Sequence, residues 1–133
     1  MADQRLAAIG NYTLSQLKLG EGAFSEVKLA RHNILGVDVA MKIIYRKHIK
    51  DPYVAKNLER EAALLADLHH PQVVRLFEVA AAAGFYCLIM EYFPGGTLCE
   101  LVQRDGKIAE DSARNYFRQI VCGLRYIHKQ VRG

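Results

Sequence analysis

Apolar residues recur along this chain in two rhythms, and the switch between them marks out the elements. From Tyr12 to Tyr45 the rhythm is short. Tyr12–Leu19 has strand character, and Gly20 and Gly22 break it with a predicted turn. Glu26–His32 alternates, with Val27 and Leu29 on one side and Lys28 and Ala30 on the other. Asn33–Gly36 reads as a hairpin turn, and Val37–Tyr45 as a third strand rich in β-branched residues. Beyond Asp51 the rhythm lengthens. An N-cap acid followed by Pro52 predicts a helix over about Tyr53–Leu68, with Leu58, Glu61, Leu65 and Leu68 on one face. Val73–Val79 and Phe85–Tyr92 return to strand character, with Ala80–Gly84 between them. Pro94-Gly95-Gly96 is a loop, Thr97–Gln103 a short helix, and Asp105-Gly106 a turn. A last helix is predicted over about Glu110–Gln130. Its apolar stripe is Ala113, Tyr116, Phe117, Ile120, Val121, Leu124 and Ile127.

Length limits this chain of 133 residues to one core of ordinary size. The formal charge of +4 is a modest excess, concentrated at Arg46-Lys47-His48-Ile49-Lys50. No aromatic stacking platform accompanies that run, so it reads as a solvated loop and not as a nucleic-acid surface. Cys87, Cys99 and Cys122 are odd in number, widely spaced and without a CxxC pair. This speaks against zinc and a disulfide framework and for reduced thiols in an intracellular protein, cytoplasmic or nuclear. Met1–Arg5 lacks the apolar region of a signal peptide, and no run reaches the ~18 residues of a membrane span.

Glu61 is the odd residue on its face. A carboxylate among leucines loses hydration on packing, and unpaired it costs several kcal/mol or takes up a proton. Lys42, on a strand where Ala40 shares its face and Val39, Met41 and Ile43 take the other, has the complementary need. An ion pair between them is therefore expected. Taken alone, such a pair is equally well a structural one without a ligand. Gly20 and Gly22 shift the balance, since glycines let a backbone approach a phosphate and offer N–H groups to anionic oxygens. The loop opens into the alternating strand Glu26–His32, not into a helix, which excludes a dinucleotide-binding fold.

The combination of Gly20-x-Gly22-x-x-Ser25-x-Val27, Val39-Ala40-Met41-Lys42, Arg60-Glu61, His69-His70-Pro71 and Met90-Glu91-Tyr92 resembles the protein kinases over about residues 12–130. Val74–Val79 and Pro94-Gly95-Gly96 resemble the serine/threonine branch related to AMP-activated kinase, in the calcium/calmodulin-dependent kinase group. Asp51–Leu58 resembles the hormonally upregulated neu-associated kinase subfamily. The resemblance implies an α+β fold: a small lobe of a five-stranded antiparallel sheet plus one long helix, then a hinge and the first, truncated helices of the large lobe. On it, residues 1–11 are a flexible lead-in, 12–90 the small lobe, 91–96 the hinge and 97–133 the incomplete start of the large lobe.

Roles follow from the resemblance. ATP is the implied ligand. Val27 and Ala40 roof the adenine and Leu19 closes its edge. Gly20, Gly22, Phe24 and Ser25 form the flap over the phosphates. Lys42 reaches the α- and β-phosphates while Glu61 holds it. Met90 stands behind the adenine, and the Glu91 carbonyl and Phe93 N–H bond it. Leu65 and Leu76 match the hydrophobic column of an assembled kinase. Three departures stand out: Ser25 replaces a glycine, Thr97 replaces a ribose-binding acid, and no H-R-D or D-F-G follows His128. With them go the catalytic base and the ligands for the Mg²⁺ that the family uses. The chain alone is thus expected to be inactive in phosphoryl transfer. The alternatives are a non-catalytic, pseudokinase-like module that binds nucleotide or a protein partner, and a fragment without its own function. No nucleic acid or membrane is implied as a partner. The terminal helix is expected to expose Tyr116, Ile120, Leu124 and Ile127, with self-association as the outcome.

Overall fold

The computed structural model describes residues 7–82 and 84–132. The chain forms two compact units: Met1–Asp67 with Arg75–Tyr92, and Leu68–Val74 with Phe93–Gly133.

The first unit is a fully antiparallel sheet and one long helix. Its strands are β1 (Ala8–Ile9), β2 (Tyr12–Glu21), β3 (Ser25–His32), β4 (Asp38–Tyr45), β5 (Leu76–Ala82) and β6 (Phe85–Glu91). They lie in the order β1-β2-β3-β4-β6-β5. The sheet therefore has six strands, not the expected five. The extra one comes from the stretch expected to be a flexible lead-in: Ala8 and Ile9 pair back onto Thr13 and Tyr12. Ile9 is buried in the core, and that apolar contact anchors so short a strand. Residues 1–6 of the lead-in lie outside the described residues. The sheet curls. Tyr12 on β2 donates its phenol to Glu78 Oε2 on β5 at 2.7 Å, although three strands separate the two in the sheet order.

Alternation along β4 sends side chains into two different cores. Val39, Met41 and Ile43 join Ile9, Tyr12, Leu14, Ala30, Cys87 and Ile89 on the concave side of the curl. Ile44, on the opposite face, packs with Leu76, Leu88 and Ala62 of the helix α1 (Pro52–Ala66). α1 starts as its sequence requires. Asp51 accepts a hydrogen bond from the Tyr53 N–H at 2.9 Å, and Pro52 takes the first helical position, where no N–H is needed. The stretch expected as a strand from Val73 begins instead at Leu76. The Val73 N–H closes a turn onto the His70 carbonyl at 3.1 Å and so is not free for a ladder.

The second unit contains α2 (Leu98–Asp105) and α3 (Glu110–Arg132). Thr97 caps α2 by accepting the Glu100 N–H at 3.1 Å. The loop 68–74 lies against α3. The His69 N–H donates to the Tyr126 hydroxyl at 3.0 Å, and the His70 ring stacks on the Tyr126 ring at 4.8 Å. Gly123 is dictated by this approach, since a Cβ there would stand 2.7 Å from the Gln72 carbonyl oxygen. The apolar stripe of α3 is partly open: Phe117 is 67% exposed and Ile120, Val121 and Leu124 are exposed, whereas Tyr116 and Ile127, expected to be exposed, are half-buried.

Candidate functional site

Strand register assembles the site. Directly opposed residues of an antiparallel pair share a face. Val27 opposes Lys42, and Lys42 opposes Leu88. One row along, Leu29 opposes Ala40, and Ala40 opposes Met90. Val27, Ala40, Lys42 and Met90 thus occupy two adjacent rows of one face, the face that also carries Ile44. Ala40 is buried; Val27, Lys42 and Met90 are half-buried and keep an open side. Leu65 and Leu76 meet in the same cluster beneath α1.

The flap joins this face through Gly20, which opposes Val27. The turn expected to begin at Gly20 is displaced. β2 runs through Gly20 to Glu21, and a register irregularity after Lys18 absorbs the change. The chain reverses at Gly22, whose N–H donates to the Ser25 carbonyl at 2.8 Å. A Cβ on Gly22 would come within 3.0 Å of Ser25 Oγ, so the tightness of this turn keeps the position small. Leu19 and Phe24 are exposed, and Ser25 is half-buried opposite Ile44. At the end of β6 the Glu91 N–H donates to the Arg75 carbonyl at 2.9 Å. Phe93 belongs to the second unit and is exposed.

The ion pair expected between Lys42 and Glu61 is not made. Neither side chain enters any ion pair among the described residues. Glu61 is exposed. The residue that α1 buries is its neighbour Ala62, 1% exposed, with Leu58 and Leu65 packed beside it. The desolvation that would demand a partner therefore does not arise, and half-buried Lys42 likewise keeps water. Lys42 and α1 nonetheless share the same side of the sheet, because Ile44, two residues on from Lys42, is buried in the same cluster as Ala62.

Cys87 is fully buried, and burial pushes its thiol up to about 11, far from a nucleophile at neutral pH. Among the described residues no three His, Cys, Asp or Glu side chains gather closely enough to hold a metal ion.

A cluster on the other face went unread in the sequence. Glu26 Oε1 accepts the Tyr45 phenol at 2.6 Å and lies 3.5 Å from Lys28 Nζ, while its Oε2 lies 3.7 Å from Lys18 Nζ. The Tyr45 bond, opposed by partial burial and aided by Lys28 and Lys18, holds the Glu26 carboxyl below the usual carboxylate range. The signal for it lies in the alternation. Glu26 and Lys28 fall on the face that Tyr45 shares with Ile43, but only the register brings them together.

Residues 13–131 match the model of the family described as Protein kinase domain. The chain is 36% identical over 122 residues to the hormonally up-regulated neu tumor-associated kinase of Homo sapiens, covering 91% of this chain and 17% of that protein. It is 38% identical over 122 residues to CBL-interacting serine/threonine-protein kinase 8 of Arabidopsis thaliana, covering 92% of this chain and 27% of that protein. Among solved structures it is similar to Rad53 in complex with AMP-PNP, with a TM-score of 0.79 and 32% identity, covering 90% of this chain and 30% of that one. The chain thus spans between about a sixth and a third of the length of these proteins.

Proposed function

The chain belongs to the protein kinase domain family, and on that premise we propose that it is the ATP-binding portion of a serine/threonine protein kinase. The observation that carries this reading is the register. It sets Val27, Ala40, Lys42 and Met90 on one half-open face beside the Gly20–Ser25 flap. A similar chain was solved with a nucleotide analogue, AMP-PNP, which supports the same ligand class.

In this reading Val27, Ala40 and Leu19 enclose the adenine, with Met90 behind it. The Glu91 carbonyl accepts a hydrogen bond from its edge. Lys42 neutralises α- and β-phosphate oxygens under the flap of Gly20, Gly22, Phe24 and Ser25. Magnesium belongs to the full catalytic assembly, which also needs a base. The 133 residues contain neither H-R-D nor D-F-G, the motifs that supply them. This chain alone is accordingly a binder and not a catalyst, and phosphorylation of protein serine or threonine is the activity of the longer family members. The reading places it inside the cell, and among the described residues no helix is long and apolar enough to cross a membrane. A second reading, a module that binds a protein or itself, draws on the exposed Phe117, Ile120, Val121 and Leu124 stripe of α3.

The test is titration of the chain with a fluorescent ATP analogue, beside Lys42→Met. Saturable binding that is lost in the variant is the expected result. Equal binding by both proteins removes Lys42 from the site, and no binding by either removes the nucleotide reading. Transfer of labelled phosphate to any protein by the chain alone would overturn its assignment as a binder only.

A further inference from the structure

The glycine flap is tied to the end of β4, and one residue makes both ties. The Tyr45 N–H donates to the Phe24 carbonyl at 3.2 Å, at the tip of the flap. The Tyr45 phenol donates to Glu26 Oε1 at 2.6 Å, at the point where the flap re-enters β3. Glu26 in turn opposes Glu21, the last residue of β2 before the flap. Two like charges at that closing pair would repel each other. Lys18 offsets this by standing 3.0 Å from Glu21 Oε1 and 3.7 Å from Glu26 Oε2. Tyr45 itself is held in place. Its ring packs against the concave core, His48 meets it edge-on at 6.2 Å, and Lys47 Nζ lies 5.8 Å from the ring centre.

We propose that Tyr45 is a positioning residue for the phosphate-binding flap, acting through Glu26 and the Phe24 carbonyl to hold residues 21–26 in the conformation that receives a triphosphate. It touches no ligand. Val39, Met41, Ile43 and Tyr45 all point away from the face that carries Lys42. Its effect is to reduce the freedom that the flap would otherwise give up on binding. The phenol bond matters most because it is the short one and its acceptor is charged. The inference rests on the nucleotide reading for its consequence, but the latch itself is a statement about the free chain.

That distinction sets the experiment. Tyr45→Phe keeps the ring and its packing and deletes only the phenol bond; Glu26→Gln keeps an acceptor for the phenol but removes the charge. The 133-residue chain and both variants are followed by amide hydrogen exchange over residues 21–26 without ligand, and by titration with ATP and with adenosine. Tyr45→Phe is expected to speed exchange at these amides. It should also weaken ATP by about three- to ten-fold, the size of a single net hydrogen bond, while leaving adenosine unchanged. Glu26→Gln should give a smaller change in the same direction. A general loss of stability would move ATP and adenosine together, and that outcome overturns the positioning role. Unchanged exchange at residues 21–26 in Tyr45→Phe overturns the latch whether or not the chain binds nucleotide. Failure of the unaltered chain to bind ATP, with exchange responding as expected, removes the nucleotide reading and leaves the latch standing.

Discussion

The two faces of β4 are built from alternate residues of the same strand and have opposite characters. On the concave side Val39, Met41 and Ile43 are buried, with Met41 and Ile43 fully so, and Cys87 and Ile89 from β6 close the packing. On the other side Ala40 and Ile44 are buried, but Lys42 between them is only half-buried and has no ion-pair partner among the described residues. One face spends its residues on density, where each methylene counts. The other keeps a cation within reach of water and of whatever docks there. A six-stranded sheet can carry an incompletely satisfied face because the opposite face supplies much of its cohesion.

The sharpest break of this comparison is Met41→Ala. Removing a fully buried side chain from the dense face is expected to cost about 2–5 kcal/mol, measured by urea unfolding. A cost below about 1 kcal/mol would mean that the concave side is not the stabilising one.

Alkaline pH probes the same face through Tyr12. Burial first, and then the hydrogen bond to Glu78 and its charge, push the Tyr12 phenol up to about 12. The folded chain therefore keeps a proton that the unfolded chain gives up near its ordinary value of about 10. Stability is full below that pH and falls as pH rises from about 10 towards 12. Tyr12→Phe should flatten this part of the profile in chemical unfolding at stepped pH. An unchanged slope would assign the alkaline loss to other groups.

Lys42→Met is the smallest effect and the counterpart of the first. A half-buried cation without an ion pair contributes little to folding, so the midpoint of unfolding should move by no more than the equivalent of about 0.5 kcal/mol. A large loss of stability would show Lys42 to be a structural residue, and the contrast between the faces would collapse.

Much of both units was legible where the signals are local. The alternation of Glu26–His32, the Asp51-Pro52 helix start and the long stripe of α3 each depend on near neighbours, and each appears as an element close to its expected bounds. The strand Ala8–Ile9 was not legible, since two residues carry no rhythm and Ile9 is held by a core assembled from distant segments. The resemblance brought Val27, Ala40, Lys42 and Met90 into one expected site, and the ladder sets them in neighbouring rows. The Lys42–Glu61 pair shows where periodicity stops. Helical spacing puts Glu61 near Leu58 and Leu65, but the rotation of α1 about its axis decides which residue of that arc faces the sheet, and here it is Ala62.

By itself, the order of residues determined where strands and helices form and which side chains alternate together, because φ/ψ preferences, caps and periodicity act within a few positions of the chain. Only the tertiary structure decided the sixth strand, the displaced reversal at Gly22, the rotation that exposes Glu61, and the bond that joins Tyr45 to the flap. Each of these depends on register and curl, which are set by the burial of surfaces far apart in sequence and so leave no local mark.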